Sequence, residues 1–171
     1  MKKRIRFITI SAMLVALEVV LNRFLSINTF GLKIGFSFVP IVFAAIFFGP
    51  LTAGVIYAAS DFIGAVLFPI GPYFPGFTVS AALMGITYGI FLHGKEEPKL
   101  FKNILPPVII NSIVLGLFVN TAWVSILYTS KTYWGWFMYR LPEYAVLIPV
   151  SVLLIPEIAK VGRSLKKAID I

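Results

Sequence analysis

The chain contains no cysteine and a single histidine, His93. Without thiols there is no disulfide framework, no thiol nucleophile and no thiolate-held metal. One imidazole excludes a metal site built from several histidines. Charge is scarce as well: only 13% of the 171 residues are Asp, Glu, Lys or Arg, while 59% are apolar. Soluble domains carry about 25% charged and about 45–50% apolar residues. That deficit excludes a soluble globular enzyme, a disordered chain and a secreted disulfide scaffold. Acids are the scarcest charge, seven against fifteen Lys and Arg, for a formal net charge of +8. A basic balance often signals nucleic acid. Here too little polar surface exists to display a basic face, so the cations belong to the loops of a polytopic membrane protein. Also missing are a GxxxxGK[ST] phosphate loop, an internal repeat of the inverted-repeat transporter kind and any catalytic constellation. His93 stands beside Gly94 and Lys95 without an acid pair or nucleophile, and Glu96-Glu97 read as a solvated loop run. No enzyme activity, cofactor or metal site is expected.

What is present is apolar run after apolar run, with a mean hydropathy of +0.94. A helix needs about 20 mostly apolar residues to cross a hydrocarbon core of ~30 Å. The first run covers 7–24, after the basic start Lys2, Lys3, Arg4 and Arg6. Glu18 interrupts it and no small-residue cleavage pattern follows, so it reads as a retained helix and not a signal peptide. Residues 26–36 form a loop or short strand. A short helix over 38–48 ends at Gly49-Pro50 and is too short for a full span. A third helix covers 51–68 with Asp61 inside it, and Pro69, Gly71, Pro72, Pro75 and Gly76 then break regular structure. A fourth covers 78–92, followed by a charged loop over 94–103. A fifth covers 104–128, with Pro106 and Pro107 in its first turn, where a missing N–H costs little. A loop over 130–137 carries Lys131, Trp134 and Trp136. The sixth helix covers 138–161. Its Pro142, Pro149 and Pro156 recur every seven residues, share one face and bend it. The expected architecture is a single all-α membrane domain over 1–171 with six transmembrane helices, the second one short.

Orientation follows from the cations. With the N-terminus inside, eleven of the fifteen fall in inner segments, leaving Arg23, Lys33, Lys131 and Arg140 outside. An even helix number keeps both termini cytoplasmic. The outer four depart from what insertion requires and together make an electropositive mouth suited to an anionic solute. A lone helix-end cation also snorkels to head groups. Asp61 is the one acid in the middle of an apolar run, and intramembrane ionisable residues are functional by default. It suits a structural pair with an Arg, or two N–H donors of an amino-heterocycle. Glu18 and Glu143 lie near outer helix ends, placed to neutralise Arg23 and Arg140. Outer aromatics include Phe36, Tyr73, Phe74, Phe77, Trp123, Tyr133, Trp134, Trp136 and Tyr139. An interfacial belt explains many of them, but Tyr73-Phe74-Pro75-Gly76-Phe77 is also placed to cap a flat ligand by stacking. Asn120, one turn before Trp123, needs a partner in hydrocarbon. Ala12 and Ala16 stack on the first helix and permit close helix approach; internal packing is the plain reading.

Ala12-x-x-x-Ala16, the short second helix ending in Phe48-Gly49-Pro50-Leu51-x-x-Gly54, and the Pro/Gly outer loop after the third helix carry a family resemblance. The chain resembles the substrate-binding S components of energy-coupling factor (ECF) vitamin transporters. Gly31-Leu32-Lys33-Ile34-Gly35-Phe36, Gly49-Pro50-Leu51-Thr52-Ala53-Gly54 and Asp61-Phe62-Ile63-Gly64-Ala65 resemble the folate-specific branch. The resemblance implies high-affinity folate uptake across a prokaryotic cytoplasmic membrane. It also implies a membrane T component as partner and two cytoplasmic ATPases that hydrolyse ATP. Ala12 and Ala16 then inherit a docking role. Asp61 or Asn120 is assigned to the pterin edge, Phe77 and Trp123 to the rings, and Arg23, Lys33 and Arg140 to the glutamate or to orienting polar atoms. Asn28, Phe36, Tyr73, Phe74 and Tyr139 complete the expected ligand set. The alternatives are an S component for riboflavin, pantothenate or thiamine, a structural membrane protein without a ligand, and an intramembrane enzyme. Cationic thiamine fits four outer cations poorly, and an enzyme lacks the residues for its chemistry.

Overall fold

Proline and glycine set most of the helix ends, and charge sets fewer of them than expected. In a computed structural model, described over residues 2–29, 32–95 and 98–169, nearly the whole chain is helical. Gly31 and the Glu96-Glu97 pair lie outside the described residues. Helix α1 spans Lys2–Arg23. It begins five residues before the expected start, because Lys and Arg are good helix formers and nothing in the basic segment breaks the turn. The following segment is an antiparallel hairpin of β1 (Ile27–Thr29) and β2 (Leu32–Ile34), with Asn28 paired to Lys33. Helix α2 spans Phe38–Phe48. Only Gly49 separates it from α3, Pro50–Leu67. Gly49 has φ +83°, a backbone conformation that glycine adopts without steric cost, and Pro50 then takes the first helical position.

Helix α4 spans Pro75–Leu92, three residues longer at its start than the sequence suggested. Pro75 and Gly76 do not break the structure there. Proline's fixed φ suits a first helical turn, whose N–H groups are unpaired in any case. Helix α5 spans Leu100–Leu127 and begins inside the expected charged loop. Its turns alternate. Leu100–Ile104 and Ile110–Val119 are wide π-type turns, and Leu105–Ile109 and Asn120–Leu127 are ordinary α-turns. Pro106 and Pro107 supply no N–H to the carbonyls one turn back, and the Leu105 N–H reaches five residues back to the Leu100 carbonyl. Helix α6 spans Tyr133–Ile169, 37 residues. It overruns the expected 138–161 at both ends, so Trp134 and Trp136 are helical and not in a loop. At 1.5 Å per residue it is about 55 Å long, more than the ~30 Å hydrocarbon core requires.

Among the described residues, five helices are long and apolar enough to cross a membrane, and α2 is the short sixth. Its sequence is apolar all round, which favours burial over an amphipathic surface position. Ile41, Val42, Ala44 and Ala45 are wholly buried, packed with Leu14 of α1, Ala53 and Ile56 of α3, Tyr88 and Leu92 of α4, and Ile155 and Ala159 of α6. Its last carbonyls are capped from other helices: Lys166 Nζ donates to the Ile46 carbonyl at 3.0 Å, and His93 Nδ1 lies 3.2 Å from the same oxygen. Cationic and N–H groups at a helix C-terminus satisfy its orphan carbonyls. Helices α3 and α4 approach closely through Gly85 and Gly89. A Cβ on Gly85 would stand 2.5 Å from the Ala53 carbonyl oxygen.

Because successive long helices run antiparallel, the hairpin, the 68–74 connection and the 128–132 connection share one end of the bundle. The α2–α3 turn, the 93–99 connection and the ends of α1 and α6 distal to the hairpin share the other. The polar residues left over from helix packing gather towards the hairpin end.

Candidate functional site

A cavity of about 350 Å³ opens at the hairpin end, within the roughly 300–1,000 Å³ usual for ligand pockets. Helix α1 supplies Asn22 and Arg23, β2 supplies Lys33, and α3 supplies Tyr57 and Asp61. The 68–74 connection and α4 bring Tyr73, Phe74, Phe77 and Tyr88. Helix α5 adds Asn111, Ser112, Gly116 and Asn120. Helix α6 adds Arg140, Glu143, Tyr144, Leu147 and Ser151, which fall on one stripe by their three- and four-residue spacing. The prolines at 142, 149 and 156 face away from that stripe, as their shared period requires.

Arg140 is almost wholly buried in this wall. Its Nη1 donates to Thr121 Oγ1 at 3.1 Å and to the Gly116 carbonyl at 3.4 Å. Its Nη2 donates to Tyr144 Oη at 2.8 Å, and Nε to Glu143 Oε2 at 3.4 Å. A guanidinium has five N–H donors; four are engaged, so one remains for anything else. Glu143 is the structural partner the sequence suggested, and the Lys33 backbone N–H reaches it as well.

Asp61 accepts the Thr78 hydroxyl at Oδ2, 2.7 Å away. Thr78 has a single hydroxyl proton, so the 3.1 Å contact between Thr78 Oγ1 and Tyr73 Oη must have the tyrosine donating. This relay ties the 68–74 connection through α4 to α3. The aromatic cap is built behind it. The Phe74 ring lies tilted 5.3 Å from Trp123 and edge-to-face 6.4 Å from Phe77, and Trp123 Nε1 donates to Ser80 Oγ at 3.0 Å. Trp123 therefore stands behind the cavity wall and props Phe74, while Phe74 and Phe77 face the space.

Three of the four departing cations meet here: Arg23, Lys33 and Arg140. Lys131 does not; its ammonium sits 4.8 Å over the rings of Trp136 and Tyr139. The Arg23 guanidinium lies against α3 because Gly64 has no side chain. A Cβ there would be 2.8 Å from Arg23 Nε. Burial pushes the Lys33 ammonium down to about 8, and Arg23 beside it acts the same way; Glu18, Asp61 and Glu143 oppose both. Glu18 is wholly buried behind this cluster. Neither of its carboxylate oxygens makes a hydrogen bond of ordinary geometry, and Asn22, one turn on, is in range of a weaker one. The expected neutralising pair with Arg23 is thus an electrostatic neighbour and not a hydrogen-bonded bridge.

Of the expected ligand residues, Arg23, Lys33, Asp61, Tyr73, Phe74, Phe77, Asn120 and Arg140 border the cavity. Phe36 is half exposed beside the hairpin, and Tyr139 packs 5.8 Å from Trp136; neither borders the cavity. Asn28 is placed by its backbone pairing with Lys33. Sequence reasoning missed Tyr57, Thr78, Tyr88, Asn111, Ser112, Tyr144 and Ser151. Periodicity offered one clue: Tyr144 and Ser151 continue the stripe that starts at Arg140.

Among the described residues, three buried polar atoms of the cavity-wall side chains make no hydrogen bond of ordinary geometry: Asn111 Oδ1, Asn120 Oδ1 and Arg23 Nε. Asn111 donates one amide N–H to the Met84 carbonyl at 3.1 Å, and the Tyr88 hydroxyl is in range of a weaker contact with the same side chain. Buried polar groups are nearly always paired. Two acceptors and a cationic donor belong to residues that border one aromatic-lined space, a combination suited to a flat molecule with N–H donors and an anionic group.

The sequence of residues 6–159 matches the family described as "ECF transporter, substrate-specific component". A protein of Clostridium novyi (strain NT) described as "Folate transporter FolT" is 39% identical over 153 residues, covering 90% of this chain and 87% of that one. A protein of the same description from Leuconostoc mesenteroides subsp. mesenteroides is 28% identical over 145 residues, covering 82% and 77%. Among solved structures, one titled "Crystal structure of FolT bound with folic acid" superposes with a TM-score of 0.83 at 30% identity, covering 91% of this chain and 92% of that chain.

Proposed function

We propose that this chain, which belongs to the substrate-specific components of ECF transporters, binds folate in the hairpin-end cavity for uptake across a prokaryotic cytoplasmic membrane. It is the substrate-binding subunit of a transporter and not an enzyme. The observation that carries the ligand is the trio of unpaired atoms at the cavity wall, Asn111 Oδ1, Asn120 Oδ1 and Arg23 Nε. Folate carries an amino-pterin edge rich in N–H donors, flat rings and an anionic glutamate. The two amide oxygens accept from the pterin edge, Phe74 and Phe77 stack on the rings, and Lys33 with Arg23 receives the carboxylates. Asp61 supplies a further acceptor at the wall. Arg140, with one donor left, holds the wall in shape more than it binds. A cationic vitamin fits this constellation poorly, because three cations border the cavity.

ATP hydrolysis and the inward discharge of the ligand fall to a membrane T component and two cytoplasmic ATPases. Ala12 and Ala16 are exposed on α1, while Leu14, Glu18 and Asn22 form its buried stripe. The small residues thus leave a smooth outer face that another helix can approach closely. Cations concentrated at the end away from the hairpin favour that end, with both termini, as cytoplasmic.

The test is to purify the chain from cells in detergent, extract it and identify any bound molecule by absorbance and mass, then titrate the stripped protein with folic acid. A co-purified pterin and saturable folic acid binding are expected. A bound flavin, or no heat with folic acid, would overturn the reading.

A further inference from the structure

Asn111 and Asn120 stand nine residues apart on α5, about two and a half turns of a regular helix at 3.6 residues per turn. In that geometry they point to opposite faces. Yet both border the cavity. Ile113, seven residues before Asn120 and on its face in a regular helix, does not. The wide turns account for the exchange. Over Ile110–Val119 the backbone closes five residues back instead of four. Each turn then takes up about one residue more, so nine residues make about two turns and return to the same side. Along the cavity, Asn111, Gly116, Asn120 and Val124 are five, four and four residues apart. The outward side is stretched in step: the exposed Ile109, Val114 and Phe118 are five and four apart.

Neighbouring helices hold this register. Asn111 Nδ2 donates across to the Met84 carbonyl of α4 at 3.1 Å. At the other end, the Asn120 N–H reaches five residues back to the Leu115 carbonyl and passes over the Gly116 carbonyl, four residues back. Arg140 Nη1 of α6 donates to that oxygen at 3.4 Å. A Cβ on Gly116 would stand 2.6 Å from Tyr144 Cε1, so the missing side chain lets α6 close on the wide turn. We infer that the wide turns of α5 belong to the binding site. They turn Asn111 onto the wall that Asn120 occupies and give the ligand two side-chain acceptors where a regular helix offers one. Both Oδ1 atoms are buried without a hydrogen bond of ordinary geometry, and a buried acceptor costs free energy until a donor reaches it. On the folate reading above, on which only the ligand's identity rests, those donors are the N–H groups of the pterin edge.

The chain has no cysteine, so a single introduced thiol reports which way each position faces. Asn111→Cys, Ile113→Cys and Asn120→Cys are made one at a time in the full chain, purified in detergent and stripped of ligand. Each is exposed to a small charged methanethiosulfonate, with and without saturating folic acid. Asn111→Cys and Asn120→Cys should both be modified, and folic acid should slow each by about tenfold or more, because only the unliganded fraction reacts. Ile113→Cys should resist the reagent in either state. A reactive Ile113→Cys beside an inert Asn111→Cys means a regular helix and overturns the inference, leaving the folate reading intact. So does an Asn111→Cys modified equally fast with and without folic acid while Asn120→Cys is protected. Ile113→Cys keeps both asparagines, so it decides the facing where loss of the Met84 contact unfolds Asn111→Cys. If folic acid protects none of the three, the folate reading falls. A reactive Asn111→Cys beside an inert Ile113→Cys still supports the two-acceptor wall, and the reverse pattern still overturns it.

Discussion

Two arginines border the same cavity and are built in opposite ways. Arg140 sits at mid-wall with four of its donors engaged by Gly116, Thr121, Glu143 and Tyr144. Arg23, at the hairpin end of α1, has a buried Nε with no partner, beside a lysine whose charge burial weakens and a glutamate with no hydrogen bond of ordinary geometry. One charge is spent on structure, and the other is left for something to arrive. Identical side chains therefore carry different roles according to how far their donors are already saturated.

The contrast breaks first at Arg140. Arg140→Ala leaves the buried Glu143 without its ion-pair partner, held only by the Lys33 backbone N–H, and breaking a buried pair costs ~3–5 kcal/mol. A large drop in the thermal midpoint of the purified protein is expected. Unchanged stability with weakened folic acid binding would show that Arg140 is a ligand residue and erase the contrast. Arg23→Ala should do the reverse. Its guanidinium is not hydrogen-bonded at Nε and shares the charge of Glu18 with Lys33, so stability should change less than in Arg140→Ala, while folic acid affinity should fall by about tenfold to a hundredfold, the range for a lost charged hydrogen bond of ~1.5–3 kcal/mol.

Asn120→Leu sharpens the comparison at the pterin end. It removes an unpaired acceptor, so the empty protein should be no less stable. Affinity measured by calorimetry should drop about tenfold, the worth of a neutral hydrogen bond near 1.4 kcal/mol. An affinity equal to that of the unmodified chain would exclude Asn120 from the ligand's contacts. Lys33 supplies a pH test. Burial pushes its ammonium down to about 8, and a bound anion favours the charged form. Affinity should therefore weaken as pH rises above about 8, by at most about tenfold per unit, and Lys33→Arg should remove the part due to this residue. Binding indifferent to pH in that range would detach Lys33 from the anion. The smallest effect on the cavity is expected from Ala16→Trp on the exposed face of α1. Folic acid affinity should stay within about twofold while co-purification with the T component is lost; intact assembly would refute the docking role.

The helices were largely legible because each was announced by a run of apolar residues, and Gly49-Pro50 marked its turn unambiguously. The misses share a cause. Pro75 and Gly76 look like breakers in isolation, yet a helix start tolerates both, so α4 began earlier than expected. The wide turns of α5 leave no mark in hydropathy. Among site residues, Arg23, Lys33 and Asp61 stood out as charges where insertion needs none. Asn111, Ser112 and Thr78 did not, since isolated polar residues in apolar helices are common. Trp123 was expected against the ligand's rings; its indole N–H donates to Ser80, and its ring lies 5.3 Å from Phe74, which itself borders the cavity.

The sequence by itself determined that this chain lives in a bilayer, how many helices it makes and which charges are surplus to insertion. Those are properties of the chain read along its length, because the hydrocarbon core sets a threshold that each segment meets or fails alone. Only the tertiary structure decided which surplus charges are free. Saturation of a donor depends on neighbours brought from other helices, Thr121 and Gly116 to Arg140 but none to Arg23 Nε. No reading of α1 or α6 in isolation contains that difference.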